Sequence, residues 1–492
     1  MYVLGIDQST QGTKALVYDS DGKILARSDL AHKQIINDLG WVEHNPLEIK
    51  QNVIDVVKDV VIKAKINKNE IIGVGISNQR ETAMMWDKKT GEPIYNAIVW
   101  QCARGAKICA SIEKAGYAQM IKTRTGLHLS PYFSAAKLAW IVENVEGIKT
   151  KVANNEICCG TIDSWLVYCL TDGRDFKTDY SNASRTQLFN ITTLTWDEEI
   201  CKLFGLKVNN LPKVCNSNDV FGYTDFDGLL DKKIPINAVM GDSHAALFGQ
   251  FCHNPGEIKS TYGTGSSIMM NVGNKLIHSQ KGLVSSIAWS FNNKVQYVLE
   301  GNINYTGAVI TWLKDNLQLI KTPMECEELA VNANSADKTY LVPAFTGLGA
   351  PYWQSDACAT ITGMTRVTGK NEIVKAALNS IAYQITDIVK LMKAEAKLDI
   401  KALRVDGGPT KNHYLMQFQS DILDIPVQVS SVEELSACGV AYMAGISLGI
   451  YDLSKLNAMV ERKEYKTRMD EIERNKLYQG WQQAIKQTLL HD

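Results

Sequence analysis

The stretch that decides the fold is YVLGIDQSTQGTK, residues 2–14. Its first six residues form an apolar run that ends in Asp7, as a buried strand does, and a turn rich in hydroxyl groups follows. A second strand is predicted at residues 15–18, and Asp21-Gly22 is a typical hairpin turn. The chain therefore begins as a strand hairpin whose turn carries polar groups at the end of a buried strand.

The elements that follow predict an α/β fold with a mixed sheet. An amphipathic helix is predicted from about Pro46 to Lys65, and a buried strand from Ile71 to Ser77. Similar elements return near residue 236, with a strand at 235–240, a long helix at about 372–396 and an amphipathic helix at 469–490. Because 492 residues exceed what one core usually supports, we predict two domains, 1–245 and 246–492.

Composition excludes several classes of function. With 52 basic and 53 acidic residues, the chain has a net charge of −1. It therefore lacks the positive electrostatic field that would attract nucleic acid or anionic membranes. We expect no membrane span, because no apolar run reaches about 18 residues, and no secretory signal. The eleven cysteines are scattered without paired CxxC spacing, which predicts free thiols in the cytoplasm and no zinc site.

Three aspartates stand at the ends of predicted strands: Asp7, Asp242 and Asp406. Open α/β sheets bind ligands at the carboxyl ends of their strands. The turn after Asp7 could wrap a polyphosphate with backbone N–H groups, and Asp7 could hold magnesium. The glycines in TYGTG, residues 261–265, allow close approach to a phosphate. Each feature alone also fits a plain hairpin, turn or helix cap, but their order across two α/β halves is the pattern of the actin-like ATPase superfamily.

The chain resembles the FGGY carbohydrate kinases and, within them, the glycerol kinase group. The resemblance covers nearly the whole chain, and residues 132–140 and 359–379 fit the two family signatures, except that Asn379 replaces an acidic residue or Gln. The other segments that carry it are GWVEHNP (40–46), NQRET (78–82), AIVWQC (97–102), GTIDSWL (160–166), NASRT (182–186), TYGTG (261–265), VPAFTGLGAPYW (342–353) and DGG (406–408).

The resemblance implies two actin-like, ribonuclease H-like domains with a catalytic cleft between them, the first binding mainly substrate and the second mainly ATP. Asp242 matches the catalytic base, although a helix N-cap is the alternative. Asp7 matches the residue associated with Mg²⁺. The positions that match ATP contacts are Thr10, Gln11, Lys14, Thr264, Gly307, Gly408 and Asn412, together with Thr311, which stands where Gln is usual.

By the same resemblance, Arg80 and Glu81 match the pair that binds two adjacent hydroxyls of a polyol. Tyr132 matches a third hydroxyl contact, and Trp100 an aromatic wall for the carbon skeleton. A solvated surface pair is the alternative for Arg80 and Glu81, and a core tryptophan is the alternative for Trp100.

Two departures from the glycerol kinase pattern fall on the substrate. Ser243 replaces a Gln, and Ser267 replaces a Phe, so two large side chains become small and polar. We hypothesise a longer or more hydroxylated acceptor. The alternative is that His244 or a water fills the space and glycerol remains the substrate. Residues 225–233 also lack the regulatory loop and histidine found in some family members.

The sequence therefore predicts an ATP-dependent kinase of a terminal hydroxyl of a small polyol, glycerol or one slightly larger. A kinase of a tetritol, pentitol or ketose such as xylulose is the alternative. A non-catalytic nucleotide sensor ranks below both, because Asp7, Asp242 and Thr264 are all present. We expect no nucleic-acid or membrane partner, and a homo-oligomer, either dimer or tetramer.

Overall fold

The computed structural model describes residues 1–490 as two α/β halves. The strands of the first half are β1 Tyr2–Gln8, β2 Gly12–Tyr18, β3 Ile24–Ala31, β4 Ile35–Ile36, β5 Val42–His44, β6 Ile71–Asn78, β7 Ala83–Asp87, β8 Ala97–Ile98, β9 Ile157–Thr161, β10 Lys177–Asp179, β11 Phe189–Asn190, β12 Thr195–Trp196, β13 Lys213–Cys215, β14 Gly222–Thr224 and β15 Ile234–Gly241. Its helices are α1 Pro46–Ala64, α2 Ala106–Lys114, α3 Ala118–Thr125, α4 Ser134–Asn144, α5 Ile148–Ala153, α6 Ile162–Leu170, α7 Tyr180–Ala183, α8 Glu198–Leu203 and α9 Asp242–Gly249.

The second half contains fewer strands and longer helices. Its strands are β16 Ile258–Tyr262, β17 Ser266–Gly273, β18 Val284–Phe291, β19 Lys294–Ile303, β20 Tyr340–Val342, β21 Thr360–Thr362, β22 Leu403–Asp406, β23 Val427–Ser430 and β24 Arg462–Tyr465. Its helices are α10 Gly307–Asp315, α11 Glu325–Val331, α12 Lys370–Ala396, α13 His413–Leu423, α14 Leu435–Ser447, α15 Leu453–Met459 and α16 Glu471–Leu489.

The central sheets of the two halves repeat one topology. The first has the order β14-β15-β6-β1-β2-β3, and the second β18-β19-β17-β16-β22-β23-β24. In each, an antiparallel hairpin (β1–β2 or β16–β17) pairs in parallel with a later strand, β6 or β22. The predicted α/β fold with mixed sheets is confirmed. The parallel pairing brings Asp7 beside Ser77, and Thr261 beside Asp406, at the carboxyl ends of their strands.

Helices cover both faces of the first sheet because its strands are apolar on both sides. Leu4 and Ile6 of β1 pack with Val53 of α1, whereas Val3 packs in the core that contains Val440 of α14. Helix α14 lies late in the chain but packs on β1, β6 and β15 of the first half. The two halves are therefore joined by a shared core.

Helices α9 and α14 approach closely where each carries a glycine. A Cβ on Gly439 would lie 1.9 Å from the carbonyl oxygen of Ala245, and one on Gly249 would lie 2.6 Å from that of Leu435. These glycines allow the two backbones to touch. The contact fixes the start of α9, where Asp242 stands, against the helix of the other half.

The predicted element boundaries differ from the observed ones by only a few residues. Strand β2 begins at Gly12 rather than Ala15, because the antiparallel ladder with β1 extends into the polar turn. All eleven cysteines are free thiols. Within residues 1–490, no helix combines the length and apolar character that a membrane crossing requires.

Candidate active site

A cleft of about 490 Å³ lies between the two halves at the carboxyl ends of the central strands. The first half lines it with Thr10, Arg80, Glu81, Trp100, Tyr132, Asp242 and Ser243. The second half contributes Thr261, Gly263, Thr264, Gly265, Ser266, Ser267, Asn302, Ile303 and Asn304. Every predicted substrate residue therefore lies in one cleft, together with Thr10 and Thr264 of the predicted ATP set.

Asp242 is the first residue of α9, directly after β15. The N-cap of that helix is Gly241, so Asp242 is not the cap, and about a third of its side chain remains exposed to the cleft. Its Oδ1 accepts a hydrogen bond from the Ser243 N–H at 2.5 Å and lies 3.2 Å from Arg80 Nε. A carboxylate held this way presents its other oxygen to a ligand.

Arg80 and Glu81 are buried, at 6% and 2% exposure, which excludes a solvated surface pair. Arg80 donates to both carboxylate oxygens of Glu300, each at 2.9 Å. Arg185 Nε donates to Glu81 Oε1 at 2.5 Å, and its Nη1 lies 2.9 Å from Glu300 Oε2. Two arginines and two glutamates thus form one alternating network at the floor of the cleft, where Arg80 and Glu81 line it.

The network fixes the ionisation state of Glu300. Burial alone would raise the pKa of this carboxyl, but the guanidinium groups of Arg185 and Arg80 outweigh burial and hold its pKa well below the usual value. Glu300 therefore stays ionised and neutralises part of the charge of two buried arginines.

Glu81 has a left-handed backbone conformation, with φ = 61°. A non-glycine residue in this region is uncommon and costs free energy. The Glu81 carbonyl accepts a hydrogen bond from Ser134 Oγ at 3.1 Å, and its carboxylate is held by Arg185. These contacts maintain a conformation that directs the side chain into the cleft.

Trp100 is half-buried, so the alternative of a core tryptophan does not apply. Its Nε1 donates to Thr10 Oγ1 at 2.9 Å, and its ring lies edge-on to that of Tyr132, with centroids 5.5 Å apart. Together the rings form an apolar wall beside the polar groups of the cleft.

The loop that carries Tyr132 is held by a buried lysine. Lys137 Nζ donates to the backbone carbonyls of Pro131, Tyr132 and Phe133, at 2.7, 2.5 and 3.2 Å. Burial lowers the pKa of this ammonium to about 7. The three bonds bind the loop to α4 and so position Tyr132.

Asp7 has the properties expected of a residue that associates with Mg²⁺. It is 6% exposed, and one of its oxygens accepts a hydrogen bond from Ser77 Oγ at 2.6 Å. Burial raises the pKa of Asp7 to about 6, and the nearby Asp242 adds to this. A cation would relieve that repulsion, and carboxylate oxygen is a ligand that Mg²⁺ prefers. The donor chemistry therefore fits.

Among residues 1–490, no three or more His, Cys, Asp or Glu side chains form a group that could hold a metal by themselves. Mg²⁺ in kinases is usually held by one or two carboxylates together with phosphate oxygens and waters. One carboxylate beside a phosphate site is therefore sufficient.

The remaining predicted ATP residues lie outside the lining of this cleft. Gln11 is exposed, and Lys14 Nζ pairs with Glu434 Oε2 at 2.8 Å. The Gly307 N–H donates to the Gly263 carbonyl at 2.9 Å, and Thr311 Oγ1 donates to the Gly307 carbonyl at 3.2 Å. The Gly307 bond joins α10 to the Gly263–Gly265 turn, whereas the Thr311 bond lies within α10.

Gly408 and Asn412 stand where β22 leads into α13. Gly408 begins a short 3-10 helix, and a Cβ there would meet no atom within 4 Å. Asn412 caps α13, its side chain accepting from the Leu415 N–H at 2.9 Å. Asp406 is buried, and its Oδ2 accepts hydrogen bonds from Gln250 at 3.0 Å and from Thr261 at 3.2 Å.

Sequence reasoning missed Glu300, Asn302, Asn304 and the buried Lys259, whose Nζ donates to Thr261 Oγ1 at 3.0 Å. A signal for the first three was present. In LEGNIN, residues 299–304, polar side chains recur at every second position of an otherwise apolar strand. Such spacing places them on one face.

Two α/β halves of repeated topology, with aspartates at the strand ends around a shared cleft, define a kinase of the actin-like ATPase architecture. The chain belongs to the FGGY family of carbohydrate kinases. The model of the family's N-terminal domain matches residues 2–249, and that of its C-terminal domain matches residues 258–448. The chain is accordingly an ATP-dependent kinase that transfers a phosphoryl group to an alcohol.

Curated relatives match over nearly full length. Glycerol kinase 1 of Thermotoga maritima is 50% identical over 491 residues, covering 99% of this chain and 100% of the relative. The glycerol kinase of Caldanaerobacter subterraneus is 45% identical, covering 99% of this chain and 98% of the relative.

Solved structures agree on the fold. Plasmodium falciparum glycerol kinase with ADP has a TM-score of 0.94 at 37% identity, covering 99% of this chain and 98% of that one. The xylulose kinase of Lactobacillus acidophilus has a TM-score of 0.88 at 23% identity, covering 100% and 99% of the two chains, which supports the fold alone.

Proposed function

We propose that this chain transfers the γ-phosphoryl group of ATP to a terminal hydroxyl of a small polyol, with glycerol as the simplest acceptor. The observation that carries the proposal is the arrangement of Arg80, Glu81 and Asp242 on one wall of the cleft, with Arg80 Nε 3.2 Å from Asp242 Oδ1. The relatives that are named glycerol kinase support the same acceptor class.

Arg80 and Glu81 would bind two adjacent hydroxyls of the acceptor. The guanidinium only donates and the carboxylate only accepts, so the pair can satisfy a diol in complementary ways. Glu81 Oε1 is engaged with Arg185, so Oε2 would accept from the diol. Trp100 and Tyr132 would cover the carbon skeleton, and the Tyr132 hydroxyl would contact a third hydroxyl.

Asp242 would act as the general base. As the terminal hydroxyl oxygen forms its bond to the γ-phosphorus, its proton passes to the Asp242 carboxylate. The bond between the γ-phosphorus and the bridging oxygen breaks at the same time, and ADP leaves. Such a transfer depends mainly on positioning and charge neutralisation. Ser243 and Ser267 would flank the acceptor on either side of the cleft.

The nucleotide would lie against the second half. Backbone N–H groups at Thr264 and the neighbouring glycines would face the phosphates, with Thr10, Gln11 and Lys14 on the opposite side. The adenosine part of the nucleotide would be contacted by the remaining predicted ATP residues, Gly307, Thr311, Gly408 and Asn412. Mg²⁺, when bound, neutralises charge on the phosphates, and Asp7 would hold it directly or through water.

Three further features complete the proposal. The boundary between the substrate and nucleotide domains falls near residue 245. The chain forms a homo-oligomer, either a dimer or a tetramer. It works in the cytoplasm, a reducing compartment that is consistent with its eleven free thiols. Light scattering of the purified protein tests the oligomer, and a single monomeric mass would contradict it.

A coupled ADP-release assay tests the function, with Asp242→Asn as the critical variant. We expect polyol-dependent ADP release that Asp242→Asn lowers by about 10²–10⁴-fold in kcat, because the base is lost while shape is kept. The matched control is Asp315→Asn, an exposed aspartate at the end of α10. ADP release that needs no acceptor would favour the nucleotide sensor, and activity unchanged in Asp242→Asn would refute the proposed base.

A further inference from the structure

One face of β19 leads from the buried core to the cleft, where Asn302 lies in the lining. Side chains alternate along a strand, so Val298, Glu300 and Asn302 share a face. Val298 packs in the core that joins the two halves, and Glu300 pairs with Arg80 of the first half. Asn302 is the next residue on this face, and Asn304 follows just beyond the strand.

Asn302 has a polar neighbour across the ladder. Antiparallel pairing of β17 and β19 places Ser267 directly opposite Asn302, which brings their side chains close on the same face. Ser267 Oγ in turn donates to Glu300 Oε1 at 3.3 Å. The series Glu300, Ser267, Asn302 therefore extends from the Arg80 guanidinium along the wall of the cleft.

The two amides on this wall are available to a ligand. Asn302 is half-buried and Asn304 exposed, and among the hydrogen bonds within residues 1–490 neither side-chain amide has a partner. Each amide can donate twice and accept twice. A half-buried amide without a partner beside a substrate site is suited to bind a hydroxyl, which also donates and accepts.

The part of the cleft next to Asn302 and Ser267 is not filled by protein side chains. His244, the residue next to Ser243, is fully buried, and its Nε2 lies 3.5 Å from Ser286 Oγ, beneath the cleft rather than in it. Ser243 itself lines the cleft with a short side chain. Ser243 is therefore a short polar group in the same cleft as Asn302.

We propose that the acceptor is a linear polyol of four or five carbons, and that Asn302 and Ser267 determine this specificity. The proposal rests on the proposed function and extends it. Arg80 and Glu81 bind the diol next to the reacting end, and Asn302 with Ser267 binds the hydroxyls beyond the third carbon. Glycerol lacks those hydroxyls, so the Asn302 side-chain amide has no hydrogen-bond partner in the glycerol complex. The kcat/KM for glycerol is therefore lower than for the longer polyol.

The experiment compares kcat/KM for glycerol, erythritol, ribitol, xylitol, arabinitol and xylulose in the ADP-release assay. We expect one tetritol or pentitol to exceed glycerol by about tenfold or more. The double variant Asn302→Ala/Ser267→Phe is expected to lose that preference, because KM for the longer polyol rises more than KM for glycerol. Asn144→Ala, an exposed residue at the end of α4, is the matched control and is expected to keep the preference.

Each other outcome overturns the inference. If glycerol equals or exceeds the longer polyols, or if the double variant keeps the wild-type preference, Asn302 and Ser267 do not set specificity and the proposed polyol kinase function still stands. If xylulose gives the highest kcat/KM, the acceptor is a ketose and the polyol class is wrong. If no acceptor supports ADP release in any variant, the proposed function fails along with the inference.

Discussion

Glu300 accepts hydrogen bonds from both terminal nitrogens of Arg80, each at 2.9 Å, although the two residues are 220 positions apart. Arg80 follows β6 of the first half, and Glu300 lies in β19 of the second. The bidentate pair therefore joins the halves at the floor of the cleft. It also orients the guanidinium that we propose binds the acceptor.

Glu300→Gln is expected to lower both stability and substrate affinity. Removing the charge leaves Arg80 and Arg185 buried with less compensation, which costs about 3–5 kcal/mol of unfolding free energy. Because Arg80 also loses its orientation, KM for the polyol is expected to rise more than kcat falls. Urea denaturation and steady-state kinetics measure the two effects.

The control for this variant is Glu433→Gln, which removes an exposed glutamate paired with Lys411 and is expected to change little. If Glu300→Gln and Glu433→Gln changed stability and KM equally, the buried network of Arg80, Arg185 and Glu300 would contribute no more than an exposed ion pair.

Adjacent glycines at the end of β22 are expected to respond differently to alanine. Gly407 has φ = 100°, and a Cβ there would lie 2.1 Å from the Tyr262 carbonyl oxygen, whereas Gly408 has open space around it. Gly407→Ala is therefore expected to destabilise the fold by about 1–3 kcal/mol. Gly408→Ala is expected to stay within about 0.5 kcal/mol of wild type and to raise KM for ATP. A stable Gly408→Ala with unchanged KM for ATP would remove Gly408 from the nucleotide site.

Lys137 is expected to give stability a particular pH dependence. Burial lowers its pKa in the folded protein to about 7 from the ordinary lysine value of 10.5. Between these values the unfolded state binds more protons, so rising pH favours the folded state. The unfolding free energy of wild type minus that of Lys137→Met is therefore expected to increase from pH 7 upward, by up to about 1.4 kcal/mol per pH unit.

Urea denaturation from pH 6.5 to 9.5 measures the difference, and the exposed Lys149, changed to Met, serves as the control with a flat difference. A flat profile for Lys137→Met would mean that the three carbonyl bonds keep the lysine charged throughout this range.

Glu434 is expected to compete with ATP for Lys14. Glu434 Oε2 lies 2.8 Å from Lys14 Nζ, and its Oε1 lies 2.7 Å from Arg27 Nη1. If Lys14 contacts phosphate, Lys14→Met raises KM for ATP about tenfold or more. Glu434→Gln releases the lysine and lowers KM for ATP by a factor of up to about five. A rise in KM for ATP in Glu434→Gln would instead assign Glu434 the task of positioning Lys14.

Sequence alone determined the elements and the strand ends on which the site is built. Three aspartates directly follow short apolar runs: Asp7, Asp242 and Asp406. A buried strand followed by a polar turn can be recognised from a few consecutive residues. Both features depend on short-range periodicity and turn chemistry, which can be read from the sequence itself. The place of Arg80 and Glu81 in the cleft was implied instead by the resemblance of the NQRET motif, residues 78–82, to the FGGY family.

Only the tertiary structure decided which groups meet. It paired Arg80 with Glu300, Lys14 with Glu434, and Asn302 with Ser267 across a ladder. It also placed His244 beneath the cleft, which leaves the space beside Ser243 open. The physical reason is that such contacts depend on strand register and on how two sheets face each other. Neither leaves a periodic signal in the chain, because residues hundreds of positions apart are brought together only by packing of the whole core.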